Sequence, residues 1–420
     1  MKKIIFLFIM ANVTLTIKLT AEWERIPFGD DIYSIIIKTN GDIFVGTEGR
    51  GVQLSTDNGN KWKILDNGFP FPFVSSLSVS DSNIYAGTFG EGVFLSTNYG
   101  VEWKSLNTGL DSLNPSGSVW SVVAEGTNVF VGTPGRGIFV STNLGQSWYP
   151  INNGLPERII FSICMKDTNI FISVTGIGSN NSFGIYLSTN KGEGWNEVNS
   201  GLSNLSIRTI VTNGTNLYAG TLGGVFKSTN NGESWESINI GITDFRILSL
   251  ALNDKYLFAG TYDGKIFMST NSGDSWKRID NDITTSRIQT LAIGNGYIFA
   301  GTSYGSPKGI FRAKLSDIET SVADIPVNNN QISVYPNPAS DYITISIPEI
   351  NPTVNRRVDG LVDKVQIFDM LGLEVLSVGI GLDLSTQKID VSHLPTGVYF
   401  IRIICSNGAC SIVEKFVKQL

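Results

Sequence analysis

The residue types that carry most enzyme chemistry are scarce in this chain of 420 residues. It holds one histidine, His393, close to the C-terminus, and three cysteines, Cys164, Cys405 and Cys410. A lone histidine excludes histidine-based metal clusters and Ser-His-Asp triads from the first three quarters of the chain. No glycine-rich phosphate loop follows a strand and opens a helix. We therefore expect no catalytic histidine, no metal site and no cofactor in the main body.

Carboxylates are the remaining source of catalytic chemistry. Asp30, Asp31, Asp244 and Asp263 fall in segments that we place on one loop-bearing face, and two carboxyl groups about 5–10 Å apart in a groove would favour a glycoside hydrolase. A polysaccharide-degrading hydrolase or lyase is therefore an alternative hypothesis. The net charge of −6 and pI near 5.0 argue against a nucleic-acid partner, since such proteins normally present a basic face.

Aromatic and arginine residues recur at one position of a repeated pattern. Seven strand-like segments each carry a variable residue just before a Ser or Thr. These residues are Tyr33, Ser75, Trp120, Phe161, Arg208, Leu248 and Gln289. Arg246 and Arg287 precede the last two of these positions by two residues. An aromatic group beside arginines suits a sugar, an acidic peptide or a carboxylate. The candidate ligand-binding residues are thus Tyr33, Trp120, Phe161, Arg208, Arg246 and Arg287. In the alternative interpretation, the aromatic side chains fill a channel and the arginines are only solvated.

A repeat positions these residues. The string S-T-[DN]-x-G-x-x-W occurs six times, and successive serines are 40 to 47 residues apart. The boxes run from Ser55 to Trp62, Ser96 to Trp103, Ser141 to Trp148, Ser188 to Trp195, Ser228 to Trp235 and Ser269 to Trp276. Strand-like pairs such as Ile84 to Thr88 and Gly92 to Leu95 precede each box. Four strands in such a period are typical of one propeller blade.

The two ends of the repeat region complete each other. A seventh Gly-Thr unit, Ile298 to Thr302, leads to Gly309 to Arg312 and then lacks the box. Trp23 to Ile26 matches the residues that follow each box. We therefore expect the first strand to complete the last blade, because closure leaves no exposed sheet edge. The sequence predicts an all-β, seven-bladed β-propeller over residues 22–313.

The boxes resemble the Asp-box (BNR) repeats of sialidases, sortilin-type receptors, xyloglucan-cleaving glycosidases and photosystem II assembly factors. In those families the box is a folding device on the face away from the ligand. The resemblance implies that the box residues here are structural, and it leaves a chaperone-like assembly role as a further alternative. These residues are Asp57, Asn98, Asn143, Asn190, Asn230 and Asn271, with Trp62, Trp103, Trp148, Trp195, Trp235 and Trp276.

The N-terminus predicts export. Lys2 and Lys3 precede an apolar run from Ile4 to Met10, and Ala21 offers a small residue before a cleavage point. Polar residues interrupt the run, so it is too short for a membrane anchor. We expect a signal peptide at residues 1–21, passage through the periplasm and no transmembrane helix in the remaining chain.

The C-terminal segment differs in pattern. Residues 314–331 are polar and predict a linker, and residues 332–420 predict a small antiparallel β-sandwich. Tyr335 to Pro338, the turn Asp369 to Gly372, and Leu394 to Tyr399 resemble the C-terminal sorting domain of type IX secretion substrates. The resemblance implies the type IX machinery and a surface sortase as partners, and a location at the outer-membrane surface or outside the cell.

Taken together, these features favour an exported, non-catalytic propeller that binds a glycan or protein ligand at the mouth of its channel. The repeat set is complete as structure, and the chain lacks the usual catalytic residues. The identity of that ligand is not encoded in any motif.

A disulfide is predicted between Cys405 and Cys410. A hairpin that turns at Asn407-Gly408 places the two cysteines opposite each other at a non-hydrogen-bonded site, where Cα atoms lie about 4.5 Å apart. After alkylation without reductant the mass of these residues should be unchanged. Addition of two labels would contradict the pairing.

Overall fold

The structure, a computed structural model, describes thirteen ranges of the chain, and the predicted signal peptide lies outside them. The ranges are 23–26, 28–70, 73–110, 117–176, 182–281, 283–284, 286–322, 333–335, 338–346, 362–369, 373–379, 388–405 and 411–419. The chain divides into two compact units, Met1–Val322 and Ala323–Leu420. Each unit is described by itself.

The first unit consists, in its described residues, of seven antiparallel four-stranded sheets. From inner to outer strand, the first three are β2 (Ile32–Ile37), β3 (Ile43–Thr47), β4 (Val52–Ser55), β5 (Lys63–Leu65); β6 (Val74–Ser80), β7 (Asn83–Thr88), β8 (Val93–Ser96), β9 (Lys104–Ser105); and β10 (Ser121–Glu125), β11 (Asn128–Thr133), β12 (Gly137–Ser141), β13 (Tyr149–Pro150). The next three are β14 (Ile159–Lys166), β15 (Asn169–Thr175), β16 (Ser182–Ser188), β17 (Asn196–Glu197); β18 (Ile207–Thr212), β19 (Leu217–Thr221), β20 (Gly224–Ser228), β21 (Glu236–Ser237); and β22 (Ile247–Leu252), β23 (Leu257–Thr261), β24 (Ile266–Ser269), β25 (Lys277–Arg278). The last is β26 (Arg287–Gly294), β27 (Tyr297–Ser303), β28 (Ile310–Lys314) and β1 (Glu24–Ile26).

The sheets form a closed ring, numbered here as blades one to seven. Each inner strand contacts the inner strand of the next blade, and β26 contacts β2. The N-terminal strand β1 pairs with β28, with Glu24 opposite Arg312 and Ile26 opposite Ile310. The predicted propeller fold, with its last blade completed by the first strand, is confirmed.

Each box forms a tight turn held by its own side chains. In the first, the Ser55 hydroxyl donates to Asp57 Oδ1 at 2.9 Å and accepts from the Gly59 amide at 2.7 Å. Asp57 Oδ1 also accepts from the Lys61 amide at 2.8 Å. Gly59 has φ +88°, a left-handed conformation that glycine adopts without strain. An amide oxygen accepts the same bonds, which explains why asparagine replaces aspartate in the other five boxes.

The box tryptophans join successive blades. In five boxes the indole N–H donates to a backbone carbonyl of the preceding blade at 2.6–2.9 Å. The pairs are Trp103 with Leu65, Trp148 with Leu106, Trp195 with Ile151, Trp235 with Val198 and Trp276 with Ile238. Trp23 makes the same bond to Ile279 at 2.7 Å, although no box precedes it. Trp62 is the exception: it donates to Gly59 within its own turn and packs edge-on against Phe28.

Serines of the inner strands add a second set of links between blades. Ser34 accepts from the Leu77 amide, Ser76 from the Val122 amide and Ser162 from the Ile210 amide, each at 3.1 Å. A small side chain with a hydroxyl group can bridge closely packed inner strands. This explains the Ser or Thr that recurs at this position.

Arg312 clasps the closing strand. Its guanidinium donates to Glu24 on β1 at 2.7 and 2.9 Å, to Asn60 Oδ1 at 2.7 Å and to the Asn58 carbonyl of the first box. The side chain is 8% exposed. Ala313 replaces the box serine of this blade. A buried guanidinium with four donated hydrogen bonds therefore lies next to the place where the seventh box is missing.

The start of the predicted linker differs from expectation. β28 extends to Lys314, and residues Leu315–Val322 form the helix α1. Ile318 of this helix is fully buried in the cluster that contains Phe311 and Ile298. The apolar pair Leu315 and Ile318 lies on one helical face, a signal too short to stand out within a polar segment. Within the described ranges α1 is the single helix, and its eight residues are too few to cross a bilayer.

The second unit contains two sheets around one core. One sheet has the order β29 (Ser333–Tyr335), β30 (Tyr342–Ser346), β33 (Lys388–Asp390); the other has the order β32 (Glu374–Gly379), β31 (Val362–Phe368), β34 (Gly397–Cys405), β35 (Ser411–Lys418). Ile343 and Ile389 of the first sheet pack with Val365, Ile401 and Phe416 of the second. The predicted β-sandwich is confirmed.

The hairpin β34–β35 bears on the disulfide prediction. Ile404 lies opposite Ser411. Cys410 and the Asn407-Gly408 turn lie outside the described residues, so the disulfide stays a prediction. Cys164, in contrast, is buried in β14, and burial raises the pKa of its thiol to about 12.

Arg312→Met should destabilise the propeller by about 2–3 kcal/mol, because several charge-assisted hydrogen bonds are lost at once. Thermal unfolding of the full chain, followed by tryptophan fluorescence, should show a melting temperature lower by about 4–10 °C. Arg25→Met is the matched control, since Arg25 is an exposed arginine of β1, the closing strand that Arg312 on β28 holds. Equal melting temperatures of the two variants would contradict the clasp.

Candidate ligand-binding site at the channel mouth

The seven variable residues lie at one end of the inner strands, where pairing with the second strand is irregular or just begins. In β2, β6, β14, β18, β22 and β26 the register to the second strand shifts at this residue. Trp120 immediately precedes β10. A bulge inserts an extra residue and re-aims its side chain, and bulges are frequent next to binding sites. All seven residues are half-buried.

Three of the predicted residues form a stack across blades three to five. The rings of Trp120 and Phe161 are 4.4 Å apart at an angle of 34°. The Arg208 guanidinium lies over the Phe161 ring at 4.6 Å. Each of these residues occupies the same position of its own blade. The ring of the propeller thus brings together side chains that are more than 40 residues apart in sequence.

The other two predicted arginines share a tyrosine. Arg287 lies over the rings of Tyr262 and Tyr304 at 4.0 and 4.5 Å, and it donates to the Tyr262 hydroxyl. Arg246 lies over Tyr262 at 4.5 Å. Arg246 also forms ion pairs with Asp263 and Asp244. Contact with these rings fixes the guanidinium of Arg287 in place while leaving its charge uncompensated.

Arg208 and Arg287 lack acidic partners among the described residues. Burial lowers the pKa of the Arg208 guanidinium, and the positive charge of Arg287 lowers it further. The Arg208 Nε–H is buried without a hydrogen-bond partner. A partly desolvated cation that also feels a second positive charge is unfavourable unless an anion joins it.

Tyr33 lies at a polar corner between blades seven and one. Its hydroxyl is buried next to that of Tyr304 without a well-formed hydrogen bond. Burial raises the pKa of Tyr33, and the Tyr304 hydroxyl raises it further. Through Tyr304, Tyr33 is connected to Arg287. These contacts thus place the six predicted residues in two groups, one with Trp120, Phe161 and Arg208 and one with Tyr33, Arg246 and Arg287.

The same corner holds a pair of carboxyl groups. Asp31 is 3% exposed and forms an ion pair with Lys308 at 2.9 Å. Burial raises the pKa of Glu48, and its hydrogen bond with the Asp31 carboxyl raises it further. A proton shared between the two groups would relieve their repulsion.

The four candidate catalytic carboxylates all have cationic neighbours. Asp30 contacts Arg50 at 3.1 Å and Asp31 contacts Lys308, while Asp244 and Asp263 contact Arg246. Within the described residues, no group of three or more His, Cys, Asp or Glu side chains could hold a metal ion.

Sequence inspection missed the aromatic residues contributed by the second strands. Phe89, Tyr262 and Tyr304 follow the Gly-Thr units of their blades, and Phe73 precedes β6. Tyr33 packs against Phe73 at 4.8 Å, and Phe73 stacks on Phe89 at 5.1 Å. The available signal was the variable residue that follows each Gly-Thr unit. Such a residue lies at the same end of the blade as the inner-strand position, because Thr47 of β3 pairs with Ile32 of β2, the residue before Tyr33.

Two family models match separate parts of the chain. Residues 164–295 match the DUF6242 beta propeller domain. Residues 333–419 match the secretion system C-terminal sorting domain. The C-terminal unit is a secretion sorting domain. The sorting domain directs export by type IX secretion to the cell surface or the extracellular space, as the sequence predicted. No curated protein sequence matches the chain.

Several solved structures share the fold. PorZ of Porphyromonas gingivalis, an essential surface component of the type-IX secretion system, is 14% identical, with a TM-score of 0.53 over 93% of this chain and 60% of PorZ. The extracellular domain of the two-component system BT3049 of B. thetaiotaomicron is 15% identical, with a TM-score of 0.57 over 93% and 55%. The Niastella koreensis GH74 enzyme is 16% identical, with a TM-score of 0.50 over 68% and 43%. This chain thus spans about 60% of the length of PorZ. These proteins differ in role, so the likeness establishes the fold alone.

Glu48→Gln should change how stability depends on pH. Because the pKa of Glu48 is raised on folding, its contribution is fully present below its ordinary pKa of 4.5 and is lost as the pH rises through the raised value. A glutamine amide donates to Asp31 at every pH. The melting temperature of the variant relative to the natural chain should therefore increase from pH 4 to pH 7. Glu91→Gln, in the equivalent loop of the next blade, is the control. A pH-independent difference would contradict the shared proton.

Proposed function

We propose that the chain is a surface-displayed or released, non-catalytic propeller that binds a glycan through its channel mouth. The observation that carries this proposal is the arginine pair Arg208 and Arg287, which has no acidic partner among the described residues and lies beside stacked aromatic rings. Charged groups partly removed from water and left unpaired are a feature of binding sites.

The aromatic residues of the mouth favour a ring-bearing ligand. Tyr304 is 58% exposed and Phe89 45% exposed, so their rings are accessible. Tyr304 has φ +47°, a backbone conformation that is uncommon for an aromatic residue. Such strain persists where the surrounding structure holds it, often at ligand sites. Flat apolar rings beside hydrogen-bonding groups suit the faces and hydroxyls of sugars.

The hydrolase alternative receives less support from the geometry. Glycoside hydrolysis needs one protonated and one free carboxyl group facing the same bond. Asp244 and Asp263 are both paired with Arg246, and Asp30 is paired with Arg50. Each of these carboxylates already has a cationic partner, which suits a structural role.

Export and the structural likenesses agree with a binding role. A sorting domain delivers the propeller to a location where polysaccharides are abundant. PorZ is a surface component and the BT3049 domain is extracellular, and both are consistent with ligand binding outside the cell. A protein ligand is the competing outcome of the experiment that follows.

The test is thermal unfolding of the full chain with panels of polysaccharides and cell-surface extracts. A ligand at about 100 times its dissociation constant adds about 2.7 kcal/mol, which raises the melting temperature by a few degrees. Trp120→Ala and Arg208→Ala should remove this shift. Arg158→Ala should retain it, because Arg158 is an exposed arginine of the same loop face and belongs to neither stack.

A shift that survives in both mouth variants would place binding elsewhere on the chain. A shift with protein extracts and with no polysaccharide would replace the glycan by a protein ligand. Cleavage products in the same samples would support the hydrolase alternative instead.

A further inference from the structure

The unusual feature of the mouth is a pair of arginine-bearing stacks. One stack runs from Trp120 through Phe161 to Arg208, and the other joins Arg246 and Arg287 through Tyr262. The arginines differ in how their charges are balanced. Arg246 has two aspartates, whereas Arg208 and Arg287 have no acidic partner within the described ranges. Each stack thus carries one arginine whose positive charge is not balanced by a described carboxylate.

The arrangement of these arginines is suited to an anionic group of defined shape. A guanidinium is a planar fork whose N–H groups match the two oxygens of a carboxylate. Contact with Phe161 on one side and with Tyr262 and Tyr304 on the other restricts both side chains. Little conformational entropy would then be lost when an anion binds. The unpartnered Arg208 Nε–H supplies one donor that is already desolvated.

The surroundings of the arginine pair indicate what carries the anion. The half-buried rings of Trp120 and Phe161 give an apolar environment next to Arg208. Tyr304, which contacts Arg287, is 58% exposed and carries a hydroxyl group that can form hydrogen bonds. A sugar hydroxyl can pair with such a group, whereas an apolar peptide side chain would leave it unpaired.

We propose that the mouth recognises a uronic acid residue of an acidic glycan, with its carboxylate held jointly by Arg208 and Arg287 and its ring against Trp120 and Phe161. This inference rests on the proposed glycan-binding function and narrows it to one chemical class. The net charge of the whole chain is −6, so selectivity for the anion arises from this local pair rather than from long-range attraction.

The test compares acidic oligosaccharides with their uncharged esters. Calorimetric titration of the full chain uses oligogalacturonate, oligoalginate and hyaluronan oligosaccharides, each beside its methyl-esterified form. At least one acid should bind, about ten- to a hundredfold more tightly than its ester, because a hydrogen-bonded charge pair is lost on esterification. This comparison needs no variant, so it does not depend on any variant folding.

Variants then locate the carboxylate. Arg208→Met and Arg287→Met should each weaken binding of the acid about tenfold or more and change binding of the ester less than about threefold. Arg158→Met removes the same charge from the same face and should leave both affinities unchanged. Melting temperatures of the free variants show whether each is folded.

The outcomes separate this inference from the function on which it rests. Equal binding of acid and ester, or binding of neutral glycans alone, would overturn the uronic acid and retain a glycan-binding mouth. Binding of peptides with a free carboxylate, but of no uronate, would replace the glycan by a protein ligand at the same arginines. Absence of binding by every glycan would overturn both proposals.

Discussion

The hydrogen bond from the box tryptophan to the preceding blade, made in five of the six boxes, is the constraint on which the ring depends. Its donor is a large buried ring whose N–H requires a partner, and the carbonyl that satisfies it belongs to the neighbouring sheet. A blade therefore completes its own hydrogen bonding only when the preceding blade is in place. Trp23 continues this series across the chain ends, and Arg312 secures the strand that carries it.

A ring closed in this way leaves the opposite ends of the strands free to vary. The box face is occupied by turn hydrogen bonds, so substitutions there disturb folding. At the mouth, the variable residue lies in a bulge in six of the inner strands and just before the seventh, and this position tolerates Tyr33, Trp120 or Arg208 alike. Seven such positions meet around one opening. A rigid scaffold thereby holds cationic side chains that would otherwise repel each other and aromatic side chains that would otherwise pack against each other.

The sequence predicted most of the fold because the same residues at the same spacing form the same turn in each copy of the repeat. Ser55, Asp57, Gly59 and Trp62 each have one local task, and their spacing survives in six copies. The inner-strand position also singled out Tyr33, Trp120, Phe161 and Arg208 as candidates, and Arg246 and Arg287 lie two residues before it in their blades. Tyr262 and Tyr304 could not be foreseen as their partners, because cation–π contacts depend on the distances between blades. The Arg312 clasp and helix α1 were missed because each occurs once.

The central claim is that the channel mouth is the binding face, and amide hydrogen exchange tests it most directly. Exchange would be measured by mass spectrometry on the full chain with and without a cell-surface polysaccharide extract. Slower exchange is predicted in three loops: 199–206, which precedes Arg208; 239–246, which ends at Arg246; and 302–309, which contains the Arg287 partner Tyr304. No change is predicted in the box turns. Protection confined to the box turns, or no protection at all, would contradict a ligand site at the mouth.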